Sequence, residues 1–269
     1  MPLANLPFAL CQLPLQLNSP NLFELIMSIL STLDRIHARV RENRWHRLFS
    51  IFCRVSLAAG FLPSGYVKIA GERFTDLAVN HPMGHYLDAL FQTGFYYTFI
   101  GVLQMSAAIL LLIPRTATLG AVIYFPIILN IFILTLATRF VGSLLSSPLM
   151  VLANLYLLCW DYHKLKFILP FKFPAAQEVI PKPKILSNRF PTAFVAGVVI
   201  TIFLVVLTAM NLFNIQPFNT LPSCQRQCPD STKPNACYNF CECIHTNGRP
   251  INECLQGYNK APEEVMRAE

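Results

Sequence analysis

The sequence predicts an all-α integral membrane protein: a four-helix transmembrane bundle, one extra C-terminal transmembrane helix and a small disulfide-rich module. Three observations carry that prediction. Only 13% of the 269 residues are charged, while 54% are hydrophobic; an ordinary soluble domain carries about 25% charged residues. Residues 93–114, 116–138, 140–160 and 190–218 contain no Asp, Glu, Lys or Arg, and each reaches the roughly 20 apolar residues needed to cross a bilayer core. Six of the nine cysteines fall between residues 224 and 254.

The segments divide into residues 1–47, an N-terminal arm with an amphipathic helix; 48–168, the four-helix bundle; 169–189, a basic linker; 190–218, the fifth helix; and 219–269, the cysteine-rich module. The first stretch, "MPLANLPFALCQLPLQLNSP", has no basic n-region and is rich in proline, unlike a cleavable signal. Residues 20–40 place Leu22, Phe23, Ile26, Ile29, Leu30, Leu33, Ile36 and Val40 on one stripe, which predicts a helix lying on the membrane surface.

Crossing one runs from Leu48 to about Ile69. It holds Arg54 one to two turns in, then Gly60, Pro63, Gly65 and Lys68 near its far end. Proline bends a helix and glycine admits a close neighbour; a lysine about 20 residues along lies near the far interface. The following loop carries His81 and His85. Their i, i+4 spacing would suit a metal, but Pro82 and Gly84 weaken such a helix and no Cys or Glu completes the set. Crossing two, Thr93 to Ile113, holds Gln104; crossing three, Thr116 to Thr138, holds Asn130 and Pro126; crossing four, Phe140 to Trp160, holds Pro148 and Asn154. Polar groups at that depth face the bundle or a cavity, because lipid offers no partners. Arg54, Lys68, Gln104, Asn130 and Asn154 are therefore the candidate cavity residues, with interhelical bonding as the plainer reading. Crossing five, Phe190 to about Leu212, is smoothly apolar and reads as an anchor.

Basic residues set the expected orientation. Arg35, Arg39, Arg41, Arg44 and Arg47 precede crossing one, Arg115 sits in the turn after crossing two, and Lys164, Lys166, Lys172, Lys182, Lys184 and Arg189 follow crossing four. The positive-inside rule puts these stretches in the cytoplasm and the C-terminal tail outside. The net charge of +7 thus reflects topology, and no basic stripe interleaved with aromatics points to nucleic acid. On an oxidising face, Cys224, Cys228, Cys237, Cys241, Cys243 and Cys254 predict three disulfides, with fifteen pairings open. The shared C-x3-C spacing of Cys224/Cys228 and Cys237/Cys241 leaves a zinc reading, which an oxidising compartment disfavours; no metal is expected. The Cys241-Glu242-Cys243 triplet also allows a redox-active dithiol.

Arg54, Gly60, Lys68, the run "AAILLLIPRTATLGA" at 107–121 and "LMVLANLYLLCWDYHKLK" at 149–166 resemble the DoxX-like family of inner-membrane proteins, over residues 45–168. The resemblance implies a four-helix bundle. It also implies an association with thiol-redox and oxidative-stress proteins, or with thiosulfate:quinone oxidoreductase. The expected function is an accessory or structural subunit of a larger, redox-linked membrane assembly, displaying the stapled module to membrane or periplasmic partners. The alternative is a quinone-linked oxidoreductase component in which Lys68 attracts an anionic sulfur substrate. Small-molecule transport, drawing on Pro63, Pro126 and Pro148 as helix breaks, ranks third. No nucleophile triad, Walker loop or dinucleotide fingerprint is present. Cys53 and Cys159 both sit near one end of their helices and are read as small apolar residues.

Overall fold

The computed structural model describes residues 37–165 and 187–263. The surface helix expected over 20–40 and the linker 169–189 lie largely outside the described residues; residues 37–41 are helical. The described chain is helical, without a strand. Five of its helices are long and apolar enough to cross a membrane: Arg44–Ile69, Phe95–Leu112, Ala117–Thr138, Val141–Trp160 and Thr192–Asn211.

Helix α1 (Arg44–Ile69) begins one turn earlier than hydropathy suggests, because the side chain of Asn43 accepts from Trp45 N at 2.9 Å and starts the helix there. Its 26 residues extend about 39 Å, so Arg44 and Arg47 fall at headgroup depth rather than in the hydrocarbon. After the loop 70–81 comes α2 (Pro82–Gln92), an amphipathic helix started by His81, whose Nδ1 accepts from Met83 N at 3.1 Å. Gly94, at φ 58°, supplies the left-handed turn into α3 (Phe95–Leu112), so crossing two starts at Phe95 and not at Thr93. A short turn leads to α4 (Ala117–Thr138). That turn is tight: a Cβ at Gly120 would stand 2.6 Å from Leu111 N, and the Thr116 hydroxyl donates to Leu110 O at 3.1 Å.

Crossing four is interrupted. It consists of α5 (Val141–Leu144) and α6 (Ser146–Trp160), separated at Leu145. Pro148 explains the break, because it has no N–H to donate to the carbonyl four residues earlier, that of Leu144. It stands in the first turn of α6, where proline is tolerated. The chain then forms the short α7 (Tyr162–Leu165).

Helices α1, α3, α4 and α6 close a ring, each antiparallel to its chain neighbour, with α1 against α3 and α6, and α4 against α3 and α6. This is an up-down four-helix bundle. Its core includes Leu57, Phe61, Ala107, Leu111, Tyr124 and Ile128. Phe61 and Tyr124 stack with ring centroids 3.7 Å apart, and the Tyr124 hydroxyl donates to Leu57 O at 3.2 Å.

Helix α8 (Thr192–Asn211) buries no residue along its length. It meets the bundle chiefly through Phe194, whose ring lies 4.1 Å from His46, 5.2 Å from Phe49 and 5.7 Å from Tyr156. Its far end leads into the module, built of α9 (Leu221–Gln225), α10 (Pro234–His245) and α11 (Ile251–Lys260). Ile215, Phe240, Ile244 and the cysteines form the module core. The cysteines pair 224–241, 228–237 and 243–254.

The module sits on the end of the bundle that carries loop 70–81 and the α4–α5 turn. Asn80 donates to His245 O at 2.9 Å. Arg139, in the left-handed conformation at the end of α4, donates to Ile215 O at 2.9 Å and lies 4.6 Å over the Phe213 ring. This is the module end of the bundle; the other is the basic end.

Candidate functional site

Near the module end, the helices enclose a cavity of about 250 Å3. Phe61, Ile127, Ile128, Ile131 and Leu134 make its apolar wall, while Leu77, Met83, Leu87 and Leu90 roof it from the loop and α2. Its polar lining includes Ser64 and Lys68 of α1, Gln104 of α3, and Ser143, Ser146 and Ser147 of the broken crossing four.

Lys68 is 5% exposed. It reaches this position because α1 and α3 cross backbone to backbone: a Cβ at Gly65 would stand 2.9 Å from Gly101 O, and one at Gly101 would stand 2.7 Å from Lys68 Cβ. The ammonium donates to Ser64 O at 3.1 Å and to Ser64 Oγ at 2.8 Å. Ser64 passes the bond on, donating to Gln104 Oε1 at 3.2 Å. Phe74 lies 4.2 Å and Tyr97 5.8 Å from the ammonium, ring face on. Among the described residues no carboxylate pairs with it. An ammonium has three donors, so one remains after Ser64. Across the cavity the buried Ser147 hydroxyl has no hydrogen-bond partner, whereas Ser143 is engaged with Thr135 Oγ1 at 2.7 Å. A cation and free donors therefore converge on an apolar chamber.

Of the sequence candidates, Lys68, Gln104 and Asn130 line this cavity. Asn130 is exposed on α4, at the cavity edge. Arg54 is not part of it. It lies at the basic end, 3.8 Å from Asp161, which also meets Lys164 at 3.1 Å and accepts from the Thr118 hydroxyl at 2.7 Å. Asn154 is wholly buried between α6 and α4, its amide donating to Ala121 O at 3.1 Å; it is an interhelical tie. Ser64 and Ser147 were not singled out from the sequence. The signals were present: Ser64 stands four residues before Lys68, and "SLLSSP" precedes the helix break.

At the basic end His163 meets the Arg41 guanidinium at 2.7–2.8 Å. Burial, then the neighbouring Arg41 cation, pushes its pKa down to about 4. Asp161 binds Arg54, Lys164 and the Thr118 hydroxyl.

The histidines of the loop do not form a metal pair. His81 is fully buried and caps α2, while His85 is exposed. Burial first, then the nearby His245, pushes the His81 pKa down to about 4, with the Phe218 carbonyl opposing. The sulfurs of Cys228, Cys237 and Cys241 lie within 4.8 Å of one another, but they belong to two adjacent disulfides and offer no thiolate. Cys241 and Cys243 bond to different partners, which removes the dithiol reading of that triplet. Cys53 is buried and Cys159 exposed, and neither is bridged.

Comparison with known proteins gives little beyond the geometry. No family model matches the chain, and no solved structure matches it. It is similar to "Uncharacterized protein YwoB" of Bacillus subtilis (strain 168), 49% identical over 69 residues, which is 26% of this chain and 44% of that protein. The chain thus spans less than half the length of the curated relative it matches.

Proposed function

We propose that this is a DoxX-like inner-membrane protein whose bundle holds the head of a lipid-soluble compound of the quinone class, as a subunit of a redox-linked assembly. The observation that carries this reading is Lys68, a buried ammonium without a carboxylate partner among the described residues, on the wall of an apolar intramembrane cavity. A quinone head is flat, apolar and bears two carbonyl acceptors. The free donors of Lys68 and Ser147 suit those acceptors, and the Ile and Leu wall suits the ring and its tail. Asn130 favours entry from the bilayer, because an exposed amide on a lipid-facing helix is costly unless a polar group passes it. The positive-inside distribution of Arg and Lys supports a cytoplasmic basic end and a periplasmic module.

The test is binding of a short-chain quinone analogue to the protein in lipid nanodiscs. Lys68→Met is expected to weaken binding by about tenfold, the size of one charge-assisted hydrogen bond, with Lys68→Arg weakening it less. Absence of saturable binding by the wild type overturns the proposal.

A second reading, the accessory subunit that recruits partners through its tail, draws on α8. A helix with no buried residue leaves most of its circumference, away from Phe194, for lipid or for another membrane chain. Removal of residues 219–269 is expected to abolish partner association while the bundle still melts as before; retained association excludes this reading.

A further inference from the structure

The three bridges of the module differ in access. Cys224, Cys228, Cys237 and Cys241 are each 0% exposed, so no nucleophile reaches their sulfurs. Cys254 is 4% exposed, and Cys243 is half-buried. Both Cys243 and Cys254 line a groove of about 380 Å3 between α10 and α11, together with Asn239, Asn247, Arg249 and Tyr258. Amides, a guanidinium and a phenol beside a reachable sulfur make a surface suited to an extended peptide.

We propose that Cys243–Cys254 is an exchange site, oxidising a dithiol carried by a peptide segment of a partner, while the other two bridges are structural. This goes beyond the quinone reading and does not depend on it. Two independent features give the exchange a direction. Cys243 is the more exposed residue of the pair. Cys254 stands in the first turns of α11, where the helix dipole stabilises a thiolate, while Cys243 stands in the last turn of α10, where the dipole opposes one. Glu253, the nearest acidic group, is engaged by Arg249. Attack at Cys243 therefore expels the better leaving group.

In the first step a partner thiolate bonds to Cys243 Sγ, and Cys254 leaves as a thiolate and takes up a proton. In the second, the partner's other thiolate attacks the sulfur bound to Cys243 and closes the partner's disulfide. Cys243 then leaves and is protonated. Two electrons and two protons pass from the partner dithiol to the Cys243/Cys254 pair, and a more oxidising disulfide restores the bridge by the reverse exchange.

The test uses the full-length wild-type protein in lipid nanodiscs. It is pulsed with dithiothreitol, quenched with a maleimide and mapped by peptide mass. Cys243 and Cys254 are expected to label at least about tenfold faster than the other four cysteines of the module. Opening of all three bridges at one rate, or of Cys224–Cys241 first, overturns the proposal. Direction is read by treating the oxidised wild type with reduced glutathione and quenching with a maleimide: glutathione is expected on Cys243 and maleimide on Cys254. The opposite placement overturns the assigned direction.

Discussion

Arg54 of α1 and Asp161 at the end of α6 meet 3.8 Å apart, with Asp161 only 4% exposed and also held by Lys164 and Thr118. This one carboxylate ties α1, about three turns in, and the start of α4 to the end of α6. Asp161→Asn leaves two cations without a counter-charge. It is expected to cost about 2–4 kcal/mol in detergent denaturation, and adding Arg54→Met should restore part of the loss. An unchanged midpoint for Asp161→Asn would mean that the contact is incidental.

The crossing of α1 and α3 gives a second prediction. Even a methyl group at Gly101 would press on Lys68 Cβ and Gly65 O, at 2.7 and 2.9 Å. Gly101→Ala is expected to cost about 1–3 kcal/mol by overpacking and to weaken quinone-analogue binding as Lys68 is displaced. Gly197→Ala, at an open position on α8, is the control and should do neither.

The buried His81 sets a pH dependence. Its pKa, about 4 in the folded protein against 6.5 ordinarily, means that the native state binds fewer protons than the unfolded state between those values. Its stabilising contribution is complete above pH 6.5 and is lost as pH falls toward 4, to the extent of up to about 3 kcal/mol. Protonation also takes Nδ1 away from Met83 N. Amide exchange over the first turn of α2 should rise steeply across this window in the wild type. It should lose that pH dependence in His81→Asn, which keeps a capping oxygen.

Phe194 is the wedge between α8 and the bundle. Phe194→Ala is expected to leave the melting of the bundle within about 0.5 kcal/mol of wild type. It should broaden the distance distribution between spin labels on α8 and α6. A narrow, unchanged distribution would show that the connecting segments alone position α8.

Hydropathy made the five crossings legible because a bilayer enforces length and apolarity on every spanning segment. It reports depth along a helix but not the side from which a residue points. Arg54 and Lys68 sit on the same helix, yet one closes an ion pair at the basic end and the other faces a cavity at the module end. Likewise Asn130 and Asn154 read alike in sequence, while one lines the cavity edge and the other is an interhelical tie. The break at Leu145 was written in Pro148, but its consequence, serines lining the same cavity as Lys68, depends on which helices become neighbours. The disulfide pairing required the fold outright, since six cysteines admit fifteen pairings.

The pattern of those pairings bears on how the tail matures. Cys228–Cys237 is nested inside Cys224–Cys241, and Cys243–Cys254 follows both, with separations of 9, 17 and 11 residues. No loop is crossed by another, so the segment contains no knot and nothing must be threaded. Closing such short loops costs little chain entropy. The bridges can therefore close in any sequence and reach one topology, each from cysteines that emerge 9 to 17 residues apart. The tail can be oxidised piece by piece while the helices behind it are still assembling.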